Sequence, residues 1–147
     1  MIRPLAWVWM GIVIGVSFLA TPVKFTADSL TRPVALDVGR ATFHALAYLE
    51  WVLAALLAVL IWRTATHQQS IGRRALTAAA VVAVAVVVQS AWLQPELDER
   101  VASIIAGIEP PPSHLHTVYG IVEVTKVVSL GLLAAWADPR AWRRTVL

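Results

Sequence analysis

The chain has 147 residues, of which 59% are hydrophobic and only 14% are charged, and its formal net charge is +3. Soluble domains carry about 25% charged residues, so the composition excludes an ordinary soluble protein and indicates one compact membrane domain. The absence of cysteine excludes disulfides, thiolate metal sites and cysteine nucleophiles. The basic residues are dispersed around hydrophobic segments, so we expect the lipid bilayer as partner and no nucleic acid.

The first apolar segment predicts a membrane span over residues 4–22. It follows Arg3, as a signal peptide would, but it contains Trp7 and Trp9 and lacks a clear small-x-small cleavage site. It then runs into Pro22. We therefore interpret it as a retained span rather than a cleaved signal peptide.

Three more hydrophobic segments follow, over residues 33–62, 75–94 and 115–137. Each is long enough for the ~20 residues that a helix needs to cross the bilayer core. The third has no charged residue and is rich in alanine and valine, whereas the second is the most polar, with Asp37, Arg40, His44 and Glu50. Residues 1–147 are therefore predicted to form a single all-α membrane domain, a four-transmembrane-helix bundle.

Charge asymmetry between the loops predicts the orientation. The acidic residues of the loop over residues 94–114 are Glu96, Asp98, Glu99 and Glu109. The basic residues flank the opposite ends of the spans, at Arg3, Arg63, Arg73, Arg74, Arg140, Arg143 and Arg144. The positive-inside rule then places both termini in the cytoplasm, in a bacterial inner membrane. An aromatic belt is predicted at the cytoplasmic interface from Trp7, Trp9, Trp62, Trp136 and Trp142, with Trp92 at the opposite one.

A polar stripe marks the fourth span. His116, Tyr119, Glu123 and Lys126 repeat at steps of three, four and three, which places them on one face of a helix. A carboxylate or an ammonium within a span costs about 2.5–3.5 kcal/mol on insertion scales, so such groups face a protein interior or a wet cavity. The stripe therefore predicts a buried polar site.

The polar residues of the second span reach similar depths. Counting ~1.5 Å per residue from the outer ends brings Arg40 or His44 level with Glu123, and Glu50 level with Lys126. We predict a site for a small ligand or ion in the periplasm-facing half of the bundle, lined by Arg40, His44, Glu50, Tyr119, Glu123 and Lys126. The alternative is that these ion pairs only fix the register of the helices.

The histidines suggest a transition-metal site. His114 and His116 stand at the start of the fourth span, and His44 can approach from the second. Imidazole with carboxylate suits copper(II), zinc or iron, and two histidines can also ligate haem. Side chains two residues apart on a regular helix point about 160° apart. His114 and His116 can therefore share one ion only if the start of the fourth span is unwound. The alternative is an exposed His114 and a capping His116.

Enzymatic activity has no signature here. The sequence lacks the serine-hydrolase elbow, the zinc-protease helix motif, the phosphate-binding loop and the dinucleotide fingerprint, so the catalytic residues are unknown. A membrane-embedded enzyme or metal protein using His44, His114 and His116 stays an alternative.

Small residues suggest lateral association. Gly11 and Gly15 form a GxxxG step on the first span, which serves either a contact within the bundle or a homo-oligomer interface. Together with the alanine- and valine-rich third span, this step allows the chain to be an accessory or assembly subunit of a larger membrane complex.

Several short motifs carry a family resemblance. They are FLATPVKF at residues 18–25, then Gly39, Arg40 and Phe43, then Gln94 and Pro95, and finally His114 or His116. With these, the chain resembles small four-helix bacterial membrane proteins of unassigned function, whose relatives include transmembrane proteins associated with cisplatin resistance. It is more distantly similar to copper-resistance membrane proteins, although the methionines expected there are lacking. The resemblance implies the four-helix fold.

Overall fold

The computed structural model describes residues 1–67 and 71–137 as four helices. They are α1 (Ile2–Thr26), α2 (Arg32–Thr66), α3 (Arg73–Ile105) and α4 (Leu115–Trp136), and each is long and apolar enough to cross a membrane. The predicted all-α four-helix membrane bundle is therefore confirmed. Arg140, Trp142, Arg143 and Arg144 lie outside the described residues.

Two of the helices are much longer than a bilayer core is thick. At about 1.5 Å per residue, the 35 residues of α2 extend over roughly 52 Å, against about 30 Å of hydrocarbon. The 33 residues of α3 are nearly as long. The prediction of a loop over residues 94–114 is wrong for its first half, because Gln94–Ile105 is helical. The polar ends of α2 and α3 therefore extend beyond the apolar layer.

Both α1 and α3 contain a π-helical segment, at Ile14–Ala20 and at Gln89–Leu93. The second residue after each segment is a proline, Pro22 in α1 and Pro95 in α3. A proline ring clashes with the carbonyl four positions earlier in a regular α-helix, and it has no N–H to donate. The wider π turn accommodates the ring, so neither proline ends its helix.

Side-chain hydroxyls compensate the disturbed backbone at both segments. Thr21 Oγ1 donates to the carbonyl of Val16 at 2.9 Å, and Ser90 Oγ donates to the carbonyl of Val86 at 2.7 Å. Polar backbone groups inside a bilayer must find partners within the protein. The two spans thus stay continuous across their π turns.

Helix α4 lies at the centre of the packing, with its main contacts to α3 and α1. We call the end of the bundle that holds Met1, His67, Gly72 and Ala137 the terminus end, and the opposite end, with residues 27–31 and 106–114, the loop end. The continuous apolar core fills the terminus end; its members include Ile2, Val13, Leu57, Ala75, Val82, Leu130 and Leu133.

Trp9 belongs to this core and not to an aromatic belt. Its side chain is fully buried, so the prediction of an interfacial position is wrong for this residue. The other tryptophans of the predicted belt that the structure describes, Trp7, Trp62, Trp92 and Trp136, are exposed. Trp9 differs because its indole N–H finds a partner inside the bundle, as described next.

Candidate functional site

A fully buried lysine organises the centre of the bundle. The Nζ atom of Lys126 lies 2.6 Å from Glu50 Oε1 and donates to Glu50 Oε2 at 2.8 Å. It also donates to Gln89 Oε1 at 2.6 Å and lies 3.2 Å from Glu123 Oε2. All four side chains are buried. We call Glu50, Gln89, Glu123 and Lys126 the charge cluster.

The charge cluster draws on three helices, near the middle of each. Glu50 comes from α2, Gln89 from α3, and Glu123 and Lys126 from successive positions on one face of α4. The predicted pairing of Glu50 with Lys126 is thus present. The cluster lies nearer the middle of the bundle than the outer half in which the sequence suggested a site.

Helix α1 completes the cluster through two hydrogen bonds. Trp9 Nε1 donates to Glu50 Oε1 at 3.0 Å, and Ser17 Oγ donates to Glu123 Oε1 at 3.2 Å. Each carboxylate therefore has one neutral donor from α1 in addition to the ammonium of Lys126. All four helices contribute a side chain to this site.

Sequence reasoning missed Trp9, Ser17 and Gln89. Ser17 and Gln89 both lie in π-helical segments, where the turn is wider than in an α-helix. Single π turns inside α-helices occur frequently at functional sites. The available signal was the proline shortly after each segment, which marks an interruption of the regular helix next to a polar residue.

Three buried polar atoms have no hydrogen-bond partner among the described residues. They are Gln89 Nε2, Gln94 Nε2 and Glu123 Oε2. Glu123 Oε2 lies close to Lys126 Nζ but without hydrogen-bond geometry. Buried polar groups are nearly always satisfied, so these three atoms are exceptions within the described residues.

Polar side chains continue from the charge cluster toward the loop end. Tyr119 lies one turn before Glu123 on α4, is buried, and packs its ring edge-to-face against Phe43 with centroids 5.2 Å apart. Gln94 is buried on α3, five residues after Gln89. Toward the terminus end, the buried side chains in the described residues are apolar apart from Ser129. The two halves of the bundle thus differ in polarity.

Arg40 and His44 do not join the charge cluster. Arg40 donates to Asp37 at 2.6 Å on its own helix, and the exposed His44 lies 2.7 Å from Asp98 Oδ2. The continuation of α3 as a helix beyond Pro95 brings Asp98 opposite His44, where a loop is expected from the sequence. These residues form a separate polar group nearer the loop end.

The histidines are not gathered around a common point. His114 and His116 are exposed at the start of α4, and His44 contacts Asp98 on α3. In the described residues, no group of three or more His, Asp or Glu side chains is arranged to hold a metal ion. The residues present therefore do not fit the predicted copper or zinc site.

The charge cluster has one negative charge in excess when all its groups are ionised. Glu50 and Glu123 supply two carboxylates, and Lys126 supplies the one ammonium. Removing charges from water is costly unless they are paired, and here one charge remains unbalanced. Among the described residues, this charge has no counter-charge of its own in the cluster.

No curated protein and no solved structure matches the chain. A family model does match, over residues 5–103, and its family is described as a domain of unknown function, DUF4149. The matched region includes Glu50 and Gln89 of the charge cluster and ends before α4. Because the match covers about two thirds of its length, the chain belongs to this uncharacterised family.

Proposed function

We propose that this protein binds a small cation at the charge cluster and takes part in moving it through the membrane. The observation that carries the proposal is the pair of buried carboxylates sharing one buried ammonium at mid-bundle. Ionisable groups inside the membrane are costly and are usually tied to ion or substrate pathways. A cation bound beside Glu123 neutralises the excess charge.

The loop end is proposed to face the periplasm. The Arg-rich terminus end would lie in the cytoplasm of a bacterial inner membrane, following the positive-inside rule. Arg40, His44 and Asp98 then form the polar entrance, and Tyr119 and Gln94 lie between this entrance and the charge cluster. The relationships to cisplatin-resistance-associated and copper-resistance proteins stay predictions, as does the enzymatic alternative.

Thermal unfolding of the purified full chain tests cation binding. A ligand that binds only the folded state raises its stability by an amount that grows with ligand concentration. The probes are protons, Na⁺ and K⁺, with choline chloride keeping the ionic strength constant. We expect the unfolding midpoint to depend on one of these cations in the wild type.

The matched variants are Glu123→Gln and Glu99→Gln. Glu99 is exposed on α3, so its variant should respond to the cation as the wild type does, whereas Glu123→Gln should not respond. A wild type that ignores all three probes contradicts the proposal. If Glu50→Gln and Lys126→Met each unfold the protein and the double variant restores it, the ion pair serves helix register instead.

A second candidate is an accessory subunit of a membrane complex. Gly11 and Gly15 lie on α1 with no described atom within 4 Å of an added Cβ, so their face is not used within the bundle. Small residues of this kind let another helix approach closely.

Leucine at Gly11 and Gly15 tests this candidate. The double variant should lower the mass of the complex measured by light scattering in mild detergent, if the face holds a partner or a second copy. Gly120→Leu is the matched control, because its added Cβ also meets no described atom but lies on α4. An unchanged mass in the double variant contradicts the subunit role.

A further inference from the structure

We infer that the cation is a proton, that it resides on the carboxyl group of Glu123, and that it reaches this group from the loop end. The inference rests on the proposed function and identifies its ion. It follows from the unequal partners of the two buried carboxylates and the polarity of the two halves of the bundle.

Glu50 is the main ion-pair partner of Lys126. Both of its oxygens lie within 2.8 Å of the ammonium, and its Oε1 also accepts from Trp9. Protonating Glu50 would weaken all of these contacts at once. Glu50 and Lys126 therefore form the principal ion pair of the cluster.

Glu123 is the buried carboxyl group with fewer hydrogen bonds. Its Oε1 accepts one hydrogen bond from Ser17, and its Oε2 makes none among the described residues. A proton on Oε2 removes the excess negative charge and displaces no hydrogen bond in the described part of the chain, and the only ion pair there that it weakens is the long one to Lys126 Nζ at 3.2 Å. Charged or titratable neighbours are Glu50 from α2 and Lys126 and Tyr119 from α4, while α1 and α3 present the uncharged Ser17 and Gln89.

The contacts of Lys126 leave few oxygen atoms free to bind a metal cation. Na⁺ or K⁺ would need several oxygen ligands, as hard cations do. Both oxygens of Glu50 and the Oε1 of Gln89 already surround the ammonium, which leaves Glu123 Oε2 as the one unbonded carboxylate oxygen of the cluster within the described chain. One oxygen is enough for a proton and too few for a coordination shell.

The route follows the polar half of the bundle. Ser17 is half-buried and bonded to Glu123, and a hydroxyl can accept one proton while donating another. Tyr119 and Gln94 add polar atoms between the cluster and the loop end. The other direction is apolar: Val82, Leu130 and Leu133 belong to the core, and the cavity beside Trp9 and Val82 is lined by apolar side chains. The polar groups able to relay a proton therefore lie on the loop side of Glu123.

Infrared difference spectroscopy of the full chain in lipid nanodiscs tests the location of the proton. A protonated carboxyl group has a C=O stretch separate from that of a carboxylate. We expect this band in the wild type and in Glu99→Gln, and its loss in Glu123→Gln. If Glu123→Gln does not fold, Glu123→Asp serves, because its shorter carboxyl group should keep the band at a shifted frequency.

Deuterium exchange of the same band tests the route with a matched pair of serines. Ser17→Ala, on the polar side, should slow the shift of the band in heavy water several-fold. Ser129→Ala, the buried serine on the terminus side, should leave the rate unchanged. Slowing by Ser129→Ala alone overturns the proposed entrance.

The outcomes separate this inference from the proposed function. An unfolding midpoint that responds to Na⁺ or K⁺ and not to pH, with no carboxyl band from Glu123, retains cation binding and rejects the proton. A band that persists unchanged in Glu123→Gln places the proton on another residue and also rejects the inference. No response to any cation rejects the proposed function itself.

Discussion

Lys126 and Glu50 lie 76 residues apart in the chain and meet at 2.6 Å in the middle of the bundle. Glu123, only one turn from Lys126 on the same helix, stays at 3.2 Å. The closer partner of the lysine is thus the distant one, which ties α4 to α2. The nearer carboxylate is left comparatively free.

Replacing the buried lysine should be strongly destabilising. Lys126→Met leaves Glu50 and Glu123 buried without a counter-charge, and removing one partner of a buried pair costs roughly 3–5 kcal/mol. The free energy of unfolding can be followed by far-ultraviolet circular dichroism during titration with a denaturing detergent. Lys24→Met, at the other, half-buried lysine, is the control and should cost less than about 1 kcal/mol. Equal losses in the two variants would contradict the central role of Lys126.

The hydrogen bond from Trp9 should contribute measurably to stability. Trp9→Phe keeps an aromatic ring in the core but removes the N–H that donates to Glu50 Oε1. Hydrogen bonds to charged groups contribute about 1.5–3 kcal/mol, and we expect a loss in that range from the same unfolding titration. Trp7→Phe is the control because Trp7 is 47% exposed and should change stability by no more than about 0.5 kcal/mol. Similar values for both would show that the indole N–H is not specifically used.

The contact between His44 and Asp98 should matter little for stability. The two side chains are 47% and 27% exposed, and ion pairs at such positions contribute about 0.2–1 kcal/mol. A double-mutant cycle with His44→Gln and Asp98→Asn measures their coupling directly. A coupling energy well above 1 kcal/mol would show that this contact holds α3 against α2 rather than forming an accessible polar entrance.

A methyl group at Gly39 should displace Lys24 at small cost. An added Cβ there would collide with the ammonium end of Lys24, which also lies 5.1 Å from the Phe25 ring. The end of a lysine side chain is flexible and can move to solvent, so Gly39→Ala should lose only the cation–π contact, about 0.5–1 kcal/mol. Combining it with Lys24→Met should remove the additional loss. A larger, non-recoverable loss would mean that backbone rather than Lys24 limits the space.

Length and hydropathy were sufficient to predict the four helices. A run of about 20 apolar residues forms a helix in a membrane, because the hydrogen bonds of a helix satisfy every backbone polar group within the segment. The stripe on α4 was also readable, since Tyr119, Glu123 and Lys126 do share a buried face. His116 lies outside it because α4 begins only at Leu115, which leaves this side chain exposed at the end of the bundle.

The partners of the stripe were only partly predictable. Glu50 could be matched to Lys126 by depth, but Arg40 and His44 find nearer carboxylates in Asp37 and Asp98. Ser17 and Gln89 are uncharged, so they give no signal within an apolar run. The direction in which these two side chains point depends on the π turns, and a hydropathy pattern cannot predict a π turn.

A π turn behaves as one residue inserted into an α-helix. Each residue of an α-helix advances the direction of its side chain by about 100°, so one insertion turns every later position by roughly that angle. In α3 this rotation decides which way Gln94 and Asp98 face relative to Gln89. A relative that lacked the extra residue would keep an equally hydrophobic span while presenting a different set of polar side chains to the interior. In this family, single-residue gaps inside the spans would therefore change the chemistry of the interior more than many substitutions do.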